Sequence, residues 1–178
     1  MAPSESSTVR RIRAEEGSVL RALRRSAVAS DPLAFASTLE QEEAHPDALW
    51  DERARSGASS DSSAIFVAES NGRPPHGMVG AFTHEGSRFL WGMWVAPTRR
   101  GEGTGEALLA VVLAWCHDHP AEKPVRLDVN PTQVAAIHLY ERHGFVWDGE
   151  ERPLGHHPPA MRRGMRRAGS DPANEEGP

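Results

Sequence analysis

Three glycines at alternate positions stand directly before a long helical run in VAPTRRGEGTGEALL, residues 95–109. The first turn of an α-helix has backbone N–H groups without intrahelical partners, and with the helix dipole these groups favour a bound anion. Glycine has no Cβ, so a ligand can approach the backbone closely, and two adjacent arginines add positive charge. The three glycines are Gly101, Gly103 and Gly105, and the two arginines are Arg99 and Arg100. The stretch predicts a strand-to-helix turn that binds a phosphate group, with a solvent-exposed glycine-rich turn as the alternative.

The spacing of these glycines excludes two common phosphate-binding loops. A Walker A loop that begins at Gly101 needs its second glycine at position 106, which is Glu106. A dinucleotide-binding loop needs its third glycine at position 106 or 108, and position 108 is Leu108. Sites for nucleoside triphosphates and for NAD are therefore not predicted.

Apolar runs on both sides of the loop predict the fold. Three runs before it are separated by turn signals, which is typical of an antiparallel meander. The predicted elements are a strand at 9–14, helical segments at 19–28 and 35–55 with a break at 45–46, a loop at 56–63, strands at 64–70, 77–85 and 89–96, helices at 103–119 and 132–144, and strands at 125–129, 145–150 and 160–165. On the first helix, Arg21, Arg24 and Arg25 are placed opposite the apolar stripe. This order predicts an α/β sandwich with a mixed, mostly antiparallel central sheet flanked by helices.

The length of 178 residues suits one domain, expected at 9–167, with polar tails at 1–8 and 168–178. A net charge of −5 gives no reason to expect nucleic-acid binding. No apolar run approaches the length of a membrane span, and the N-terminus lacks the apolar segment of a secretory signal. A single cysteine, Cys116, excludes an internal disulfide. These features predict a cytoplasmic protein with neither nucleic acid nor membrane as a partner.

Two motifs resemble signatures of the GNAT superfamily of N-acetyltransferases. Residues 100–105 match Arg-x-x-Gly-x-Gly, entered through WVAP, and residues 127–145 are similar to Leu-x-Val…Asn-x-x-Ala-x-x-Leu-Tyr-x-x-x-Gly-Phe. The resemblance extends from Phe66 to Glu150, and the order of the upstream elements also fits. The resemblance implies a GNAT-like fold. It also implies a protein that uses acetyl-CoA as co-substrate and needs no metal.

The resemblance also implies roles for individual residues. The backbone of the strand end, Met93, Trp94 and Val95, would pair with the pantetheine arm of CoA. The loop N–H groups would hold the pyrophosphate beside Arg99, and they belong to Arg100, Gly101, Glu102, Gly103, Thr104 and Gly105. In family members the strands at 89–96 and 125–129 diverge, and the thioester lies between them.

Tyr140 stands where the family commonly has a general acid, which would protonate the departing CoA thiolate. The asparagine of the second motif is replaced by Gln133, whose side chain is one methylene longer. Gln133 still offers an amide to the CoA arm, and Asn130, three residues earlier, is the alternative contact.

The implied reaction is direct attack of a primary amine on the thioester in a ternary complex, which requires the amine to lose a proton. Many relatives carry a glutamate on the strand before the loop, but the run FLWGMWV has no acidic residue. The candidates elsewhere are Asp128, His84 and Glu85, and no base is assigned.

Aromatic residues upstream are candidates for an acceptor pocket: Phe35, Trp50, Trp91 and Trp94, with Trp91 interpreted as core. A flexible loop over 54–63 that admits a peptide end is the alternative. Cys116 is interpreted as buried packing, and His117 and His119 face different sides of a helix, so no metal site is predicted.

Two functions stay open. The first is an N-acetyltransferase whose acceptor is a small-molecule or peptide amine. Antibiotics, polyamines, amino acids and protein N-termini all stay open as acceptors. The second is a non-catalytic acyl-CoA-binding sensor of the same fold. The absence of a side chain at Gly92 leaves room for an acyl group longer than acetyl. Homodimers are common in the family that the motifs resemble.

Overall fold

Helices and strands follow one another in the order that the hydrophobic pattern predicts. The structure is a computed structural model, and it describes residues 7–168. Its elements are β1 (Thr8–Arg11), α1 (Gly17–Ser30), α2 (Leu39–Ala44), α3 (Asp47–Ser59), β2 (Ser63–Glu69), β3 (Gly77–His84), β4 (Ser87–Val95), α4 (Thr104–Asp118), β5 (Lys123–Val129), α5 (Val134–Arg142), β6 (Phe145–Pro153) and β7 (Met161–Arg167). Short 3-10 turns follow α1 and β4.

The strands form one sheet in the order β1-β2-β3-β4-β5-β7-β6. Neighbouring strands are antiparallel except β4 and β5, which are parallel. The two parallel strands pair only near their beginnings, at Ser87 with Lys123 and at Phe89 with Arg126. The predicted fold class, a mixed and mostly antiparallel sheet with flanking helices, is confirmed.

Helices cover both faces of the sheet, and β2 shows why its sequence is a continuous apolar run. Ala64, Phe66 and Ala68 belong to the core that α4 and α5 close, whereas Ile65 and Val67 belong to the core under α1 and α3. Successive strand side chains point to opposite faces, so a strand covered on both sides is apolar throughout.

One predicted loop is wrong over half its length. Residues 56–59 continue α3 instead of forming the loop expected at 56–63. Serine and glycine favour turns, but here tertiary contacts prevail: Arg11 donates hydrogen bonds to the carbonyls of Gly57, Ser60 and Ser63 at 2.7–3.0 Å. Gly57 is buried against Ile65, where any Cβ would overlap the isoleucine side chain. Residues 54–59 of the segment expected as a flexible loop at 54–63 are therefore helical.

The remaining boundaries shift by a few residues, and the break between α2 and α3 falls at His45 and Pro46 as predicted. Of the predicted tails, residues 1–6 and 169–178 lie outside the described part of the chain. Within residues 7–168, no helix is long and apolar enough to cross a membrane.

Candidate functional site

The sheet opens between β4 and β5, and this opening is the centre of the candidate site. No β4–β5 pair follows Phe89 and Arg126, so the β5-facing backbone edge of β4 is unpaired from Leu90 to Val95. A cavity of about 80 Å³ lies in the opening, which we call the strand gap. Tyr140 and Gln133 of the α5 region line the strand gap opposite Met93.

A β-bulge bends β4 beside the strand gap. The β3–β4 register shifts between Met78 and Gly80, and Gly92 on the facing strand has φ +65°. A residue with a Cβ is disfavoured at this φ, so the glycine permits the bulge. The bulge gives β4 its bend where β5 diverges.

The glycine loop leaves the end of β4 and opens α4 with free backbone donors. Gly103 is the N-cap in a left-handed conformation, φ +82°, and no side chain caps the helix. The first bond of this turn runs from Ala107 N–H to the Gly103 carbonyl. The N–H groups of Thr104, Gly105 and Glu106 therefore have no intrahelical acceptor. A Cβ at Gly103 would have no atom within 4 Å, so the start of the helix is open beside this residue.

Both arginines next to this loop bond to the protein itself. Arg99 donates to Ser70 Oγ at 3.0 Å and pairs with Glu102 at 2.9 Å. Arg100 donates to the carbonyl of Val95 at 2.9 Å and to Asp31 at 2.6 Å. The loop is thus tied to the end of β4 and to the end of α1. The Arg100 N–H bonds to the Pro97 carbonyl at 3.4 Å, whereas within residues 7–168 the N–H groups of Thr104, Gly105 and Glu106 have no acceptor.

Tyr140 lies in the strand gap and is almost wholly buried, with 7% of its surface exposed. Its ring packs edge-on against Phe145 at 5.8 Å. Among residues 7–168, no group forms a hydrogen bond with its hydroxyl. Burial raises the pKa of Tyr140 above its ordinary value, so the phenol keeps its proton at neutral pH and can donate it.

Gln133 and Asn130 both line the strand gap. The side-chain oxygen Oδ1 of Asn130 accepts hydrogen bonds from the backbone N–H and from the hydroxyl of Thr132, at 2.9 and 2.8 Å. This turn leads into α5, so part of the Asn130 side chain has a local structural role. Its amide nitrogen and the whole Gln133 amide remain available to a ligand.

A second cavity, of about 670 Å³, adjoins the strand gap, and we call it the acceptor cavity. Six residues line both cavities: Ala34, Phe35, Leu90, Trp91, Gly92 and Asp128. Helices α2 and α3 supply its outer wall, and the hairpin residues Phe82 and Phe89 supply one side. The acceptor cavity and the strand gap therefore adjoin along these six residues.

The predicted aromatic lining is confirmed only in part. Phe35 and Trp91 line the acceptor cavity, and Trp91 also packs, partly buried, against the core under α1 and α3, as its interpretation as core predicts. Trp50 is 1% exposed and does not reach this cavity. Trp94 is also buried, and its indole N–H bonds to Ser30 and Asp31. Both tryptophans lie on the face of the sheet under α1 and α3, and they differ in that Trp94 is covered by the end of α1 whereas Trp91 borders the cavity.

Among the candidate bases, only Asp128 lines the two cavities. Its carboxylate accepts bonds from Arg152 at 2.9 Å and from Arg162 at 3.2 Å. His84 and Glu85 lie at the β3–β4 turn and line neither cavity. Cys116 is buried in the core, where burial raises the pKa of its thiol to about 11, consistent with a packing role.

Sequence patterns missed a buried ion pair at the acceptor cavity. Arg24 of α1 donates from Nη2 to Glu42 of α2 at 2.5 Å and to Ser37 Oγ at 3.1 Å. Both charged residues are under 10% exposed, and the Arg24 guanidinium lies over the rings of Phe35 and Trp91. Arg24 is therefore not on the polar face of α1 as predicted. Its position one residue after Leu23 and three before Ala27, at the border of the apolar stripe, is the signal that could have shown this.

Comparisons with known proteins agree with this geometry. A model of the acetyltransferase (GNAT) family matches residues 25–145. A search of curated proteins gives no significant match.

Solved structures with the same fold are numerous. An acetyltransferase of the GNAT family from Streptococcus pneumoniae superposes with a TM-score of 0.77 at 20% identity, covering 91% of this chain and 98% of that one. The PaiA N-acetyltransferase from Thermoplasma acidophilum, in complex with coenzyme A, gives 0.69 at 13% identity, covering 90% and 99%. The ribosomal-protein-S18-alanine N-acetyltransferase from Escherichia coli gives 0.65 at 16%, covering 91% and 93%.

Proposed function

The chain belongs to the GNAT family of acetyltransferases, and from that membership we propose that it transfers an acetyl group from acetyl-CoA to the primary amine of a small molecule. The observation that carries the proposal is the continuity of three features. An uncapped helix start leads to an unpaired strand edge, which borders a gap that opens into a large cavity. A two-substrate transfer needs such a path, because donor and acceptor must meet inside the protein.

The residues of the loop and of β4 fit the proposed co-substrate. The free N–H groups at the start of α4 suit a pyrophosphate, and the positions of Gly101 and Gly103 leave the space that a Cβ would occupy. The unpaired edge of β4 around Met93 suits an extended chain with amide groups, such as pantetheine. Arg100 bonds to the Val95 carbonyl, so we expect this side chain to move when the arm binds.

The proposed chemistry makes one bond and breaks one. The acceptor nitrogen forms a C–N bond with the acetyl carbonyl carbon, the C–S bond breaks, and the sulfur leaves as a thiolate. Tyr140 gives its proton to that sulfur and recovers it from solvent, while the nitrogen loses a proton to water. General acid catalysis fits the buried, protonated phenol in the strand gap.

A small acceptor is favoured over a protein terminus by the shape of the site. Cavities that hold drug-sized ligands measure roughly 300–1,000 Å³, and the acceptor cavity has about 670 Å³. Ordered helix replaces the flexible loop that would have admitted a peptide. The E. coli relative acts on a ribosomal protein, as its name states, which is the reason to keep a peptide in the test panel.

A non-catalytic acyl-CoA sensor is the second candidate, and a single feature distinguishes the two. A sensor needs the loop and the strand edge, but it has no need for a buried, protonated phenol in the strand gap beside a second cavity. The purified protein should release free CoA thiol from acetyl-CoA only when a suitable amine is present. Binding of acetyl-CoA without amine-dependent release across amines and peptides would favour the sensor, and no binding would contradict both.

Replacing Gly103 with valine is expected to weaken acetyl-CoA binding. The side chain would fill the space over the free N–H groups, and loss of a hydrogen bond to a charged group corresponds to about a 10- to 100-fold increase in Kd. Calorimetric titration measures this directly.

The matched control is Gly72→Val, in the turn between β2 and β3. Gly72 also has a positive φ, +72°, and an empty Cβ position, so both variants carry similar backbone strain. If Gly103→Val binds acetyl-CoA as tightly as Gly72→Val, the loop does not hold the pyrophosphate.

A further inference from the structure

Three arginines line the acceptor cavity, and one of them has no carboxylate partner. Arg24 is paired with Glu42 and Arg162 with Asp128. Arg53 of α3 lies over the ring of Trp50, with its guanidinium carbon 5.0 Å from the ring centre. Within residues 7–168, no acceptor forms a hydrogen bond with Arg53.

The other charged groups of the cavity wall do not neutralise Arg53 by contact. Glu52 precedes it on α3 and is exposed, and among the described residues it forms no ion pair with Arg53. Burial is the main reason that the pKa of Arg53 is lowered; the charge of Arg24 lowers it further, while the carboxylates of Glu42 and Glu52 act in the opposite direction without a hydrogen bond to it. A half-buried guanidinium with unused donors is a position where an anion is stabilised.

Arg24 adds unused donors at the inner end of the same cavity. Only its Nη2 bonds to protein groups; within the described chain, Nη1 and Nε have no acceptor. Nη1 lies 3.5 Å from the place that a Cβ at Gly92 would take, at the junction with the strand gap. The cavity thus has free guanidinium donors at its inner end and in its outer wall.

Two of the three carboxylates that line the cavity, Glu42 and Asp128, are already engaged by protein groups. Oε1 of Glu42 accepts from both Arg24 and Ser37, and Oε2 is fully enclosed by protein. Asp128 accepts from Arg152 and Arg162. A second ammonium on the acceptor would therefore meet unused guanidinium groups, two engaged carboxylates and, at the exposed rim, Glu52, which forms no ion pair among residues 7–168.

We propose, on the basis of the proposed function, that the acceptor carries a carboxylate besides its amine, and that Arg53 binds this carboxylate. Such a molecule places its amine at the strand gap and its anionic group against α3. The aromatic walls, Phe35, Phe82, Phe89 and Trp91, contact the carbon skeleton between the two groups. Arg53 is in this role a specificity-determining residue, and the free Nη1 of Arg24 orients acceptors whose carboxylate is close to the amine.

The test uses sets of amines that share a skeleton and differ in one group. One set is 4-aminobutyrate, 4-aminobutanamide and 1,4-diaminobutane, and the other is L-phenylalanine, L-phenylalaninamide and phenethylamine. The kcat/KM for thiol release is measured with the wild type, Arg53→Gln and Arg55→Gln, and acetyl-CoA binding is titrated in all three. Arg55 is an exposed arginine of the same helix that does not line the cavity, so it controls for the loss of one positive charge.

The expected result has two parts. In the wild type, the carboxylate member of at least one set is preferred over its amide, and Arg53→Gln lowers that preference by about tenfold or more, the size of a lost charge-assisted hydrogen bond. Arg55→Gln keeps the preference, and acetyl-CoA affinity is the same in all three proteins.

Three outcomes overturn the inference. A preference of the wild type for the amide or diamine member contradicts the carboxylate-bearing acceptor. A carboxylate preference that survives in Arg53→Gln contradicts the role of Arg53. Both results leave the proposed acetyltransferase activity intact. Binding of acetyl-CoA without transfer to any member also rejects a carboxylate-bearing acceptor of this size. Failure to bind acetyl-CoA would instead reject the proposed function itself.

Discussion

Replacing Tyr140 with phenylalanine is expected to lower kcat for acetyl transfer by about 100-fold or more, with little change in the Kd for acetyl-CoA. The variant removes only the hydroxyl, and general acid catalysis contributes roughly 10²- to 10⁴-fold. The expected loss falls on kcat because the thiolate acquires its charge in the transition state and not when the co-substrate binds. Steady-state thiol release gives kcat, and calorimetric titration gives Kd.

The same variant separates catalysis from packing. Its ring can keep the edge-on contact with Phe145, and no hydrogen bond to another described residue is lost, so the melting temperature should stay close to that of the wild type. Leu139→Ala, one residue earlier on the same helix, is the control for a packing defect, because Leu139 packs partly buried against the core and beside Gly105 without lining the strand gap. An undiminished kcat in a folded Tyr140→Phe protein would make Tyr140 a core residue alone.

Replacing Arg24 with methionine is expected to lower the free energy of unfolding by about 3–5 kcal/mol, because it leaves the Glu42 carboxylate buried without its counter-charge. The side chains of the pair are 8% and 3% exposed, so water cannot replace the lost partner. Urea denaturation measures the change.

The neighbouring pair offers a matched control. Arg25 and Glu43 connect the same two helices, but their side chains are 50% and 44% exposed. Ion pairs at this exposure contribute little, so Arg25→Met should change stability by less than about 1 kcal/mol. Equal effects of the two substitutions would mean that the Arg24–Glu42 pair is not desolvated in solution.

The ionisation of Glu42 adds a pH dependence of known sign. Burial alone would raise the pKa of Glu42, but Arg24 and the Ser37 hydroxyl stabilise the anion and hold the pKa below its ordinary value of 4.5. A lowered folded-state pKa stabilises the protein above the unfolded-state pKa, and this stability is lost as the pH falls through the folded-state value. The stability difference between wild type and Glu42→Gln should therefore shrink below about pH 4.5. A difference that stays constant from pH 7 to pH 3 would contradict this assignment.

Sequence patterns were sufficient where a local rule decides the structure. The apolar run of β2 predicts a strand covered on both faces, and the glycines before α4 predict an open helix start, because both depend on backbone geometry and on neighbours in the chain. The break at Pro46 follows from the missing N–H of proline. The motif around Tyr140 also predicts a residue that the fold brings to the strand gap.

Contacts between distant segments decided the rest. Arg11 holds the end of α3 in helix, 46 residues away, against the local turn preference of its serines and glycine. Arg24 and Glu42 are ordinary surface residues by sequence, and only the packing of α1 against α2 encloses them. The same packing leaves Arg53 on a cavity wall without a carboxylate partner among the described residues.

The sequence by itself thus determined the sheet, the helices and the loop suited to acetyl-CoA, since each is specified by the period and conformational limits of a continuous stretch. The tertiary structure alone decided the acceptor side, because the charges and rings of that cavity come from α1 and the segment after it, α2, α3, β3, β4, β5 and β7, and no continuous stretch contains their arrangement.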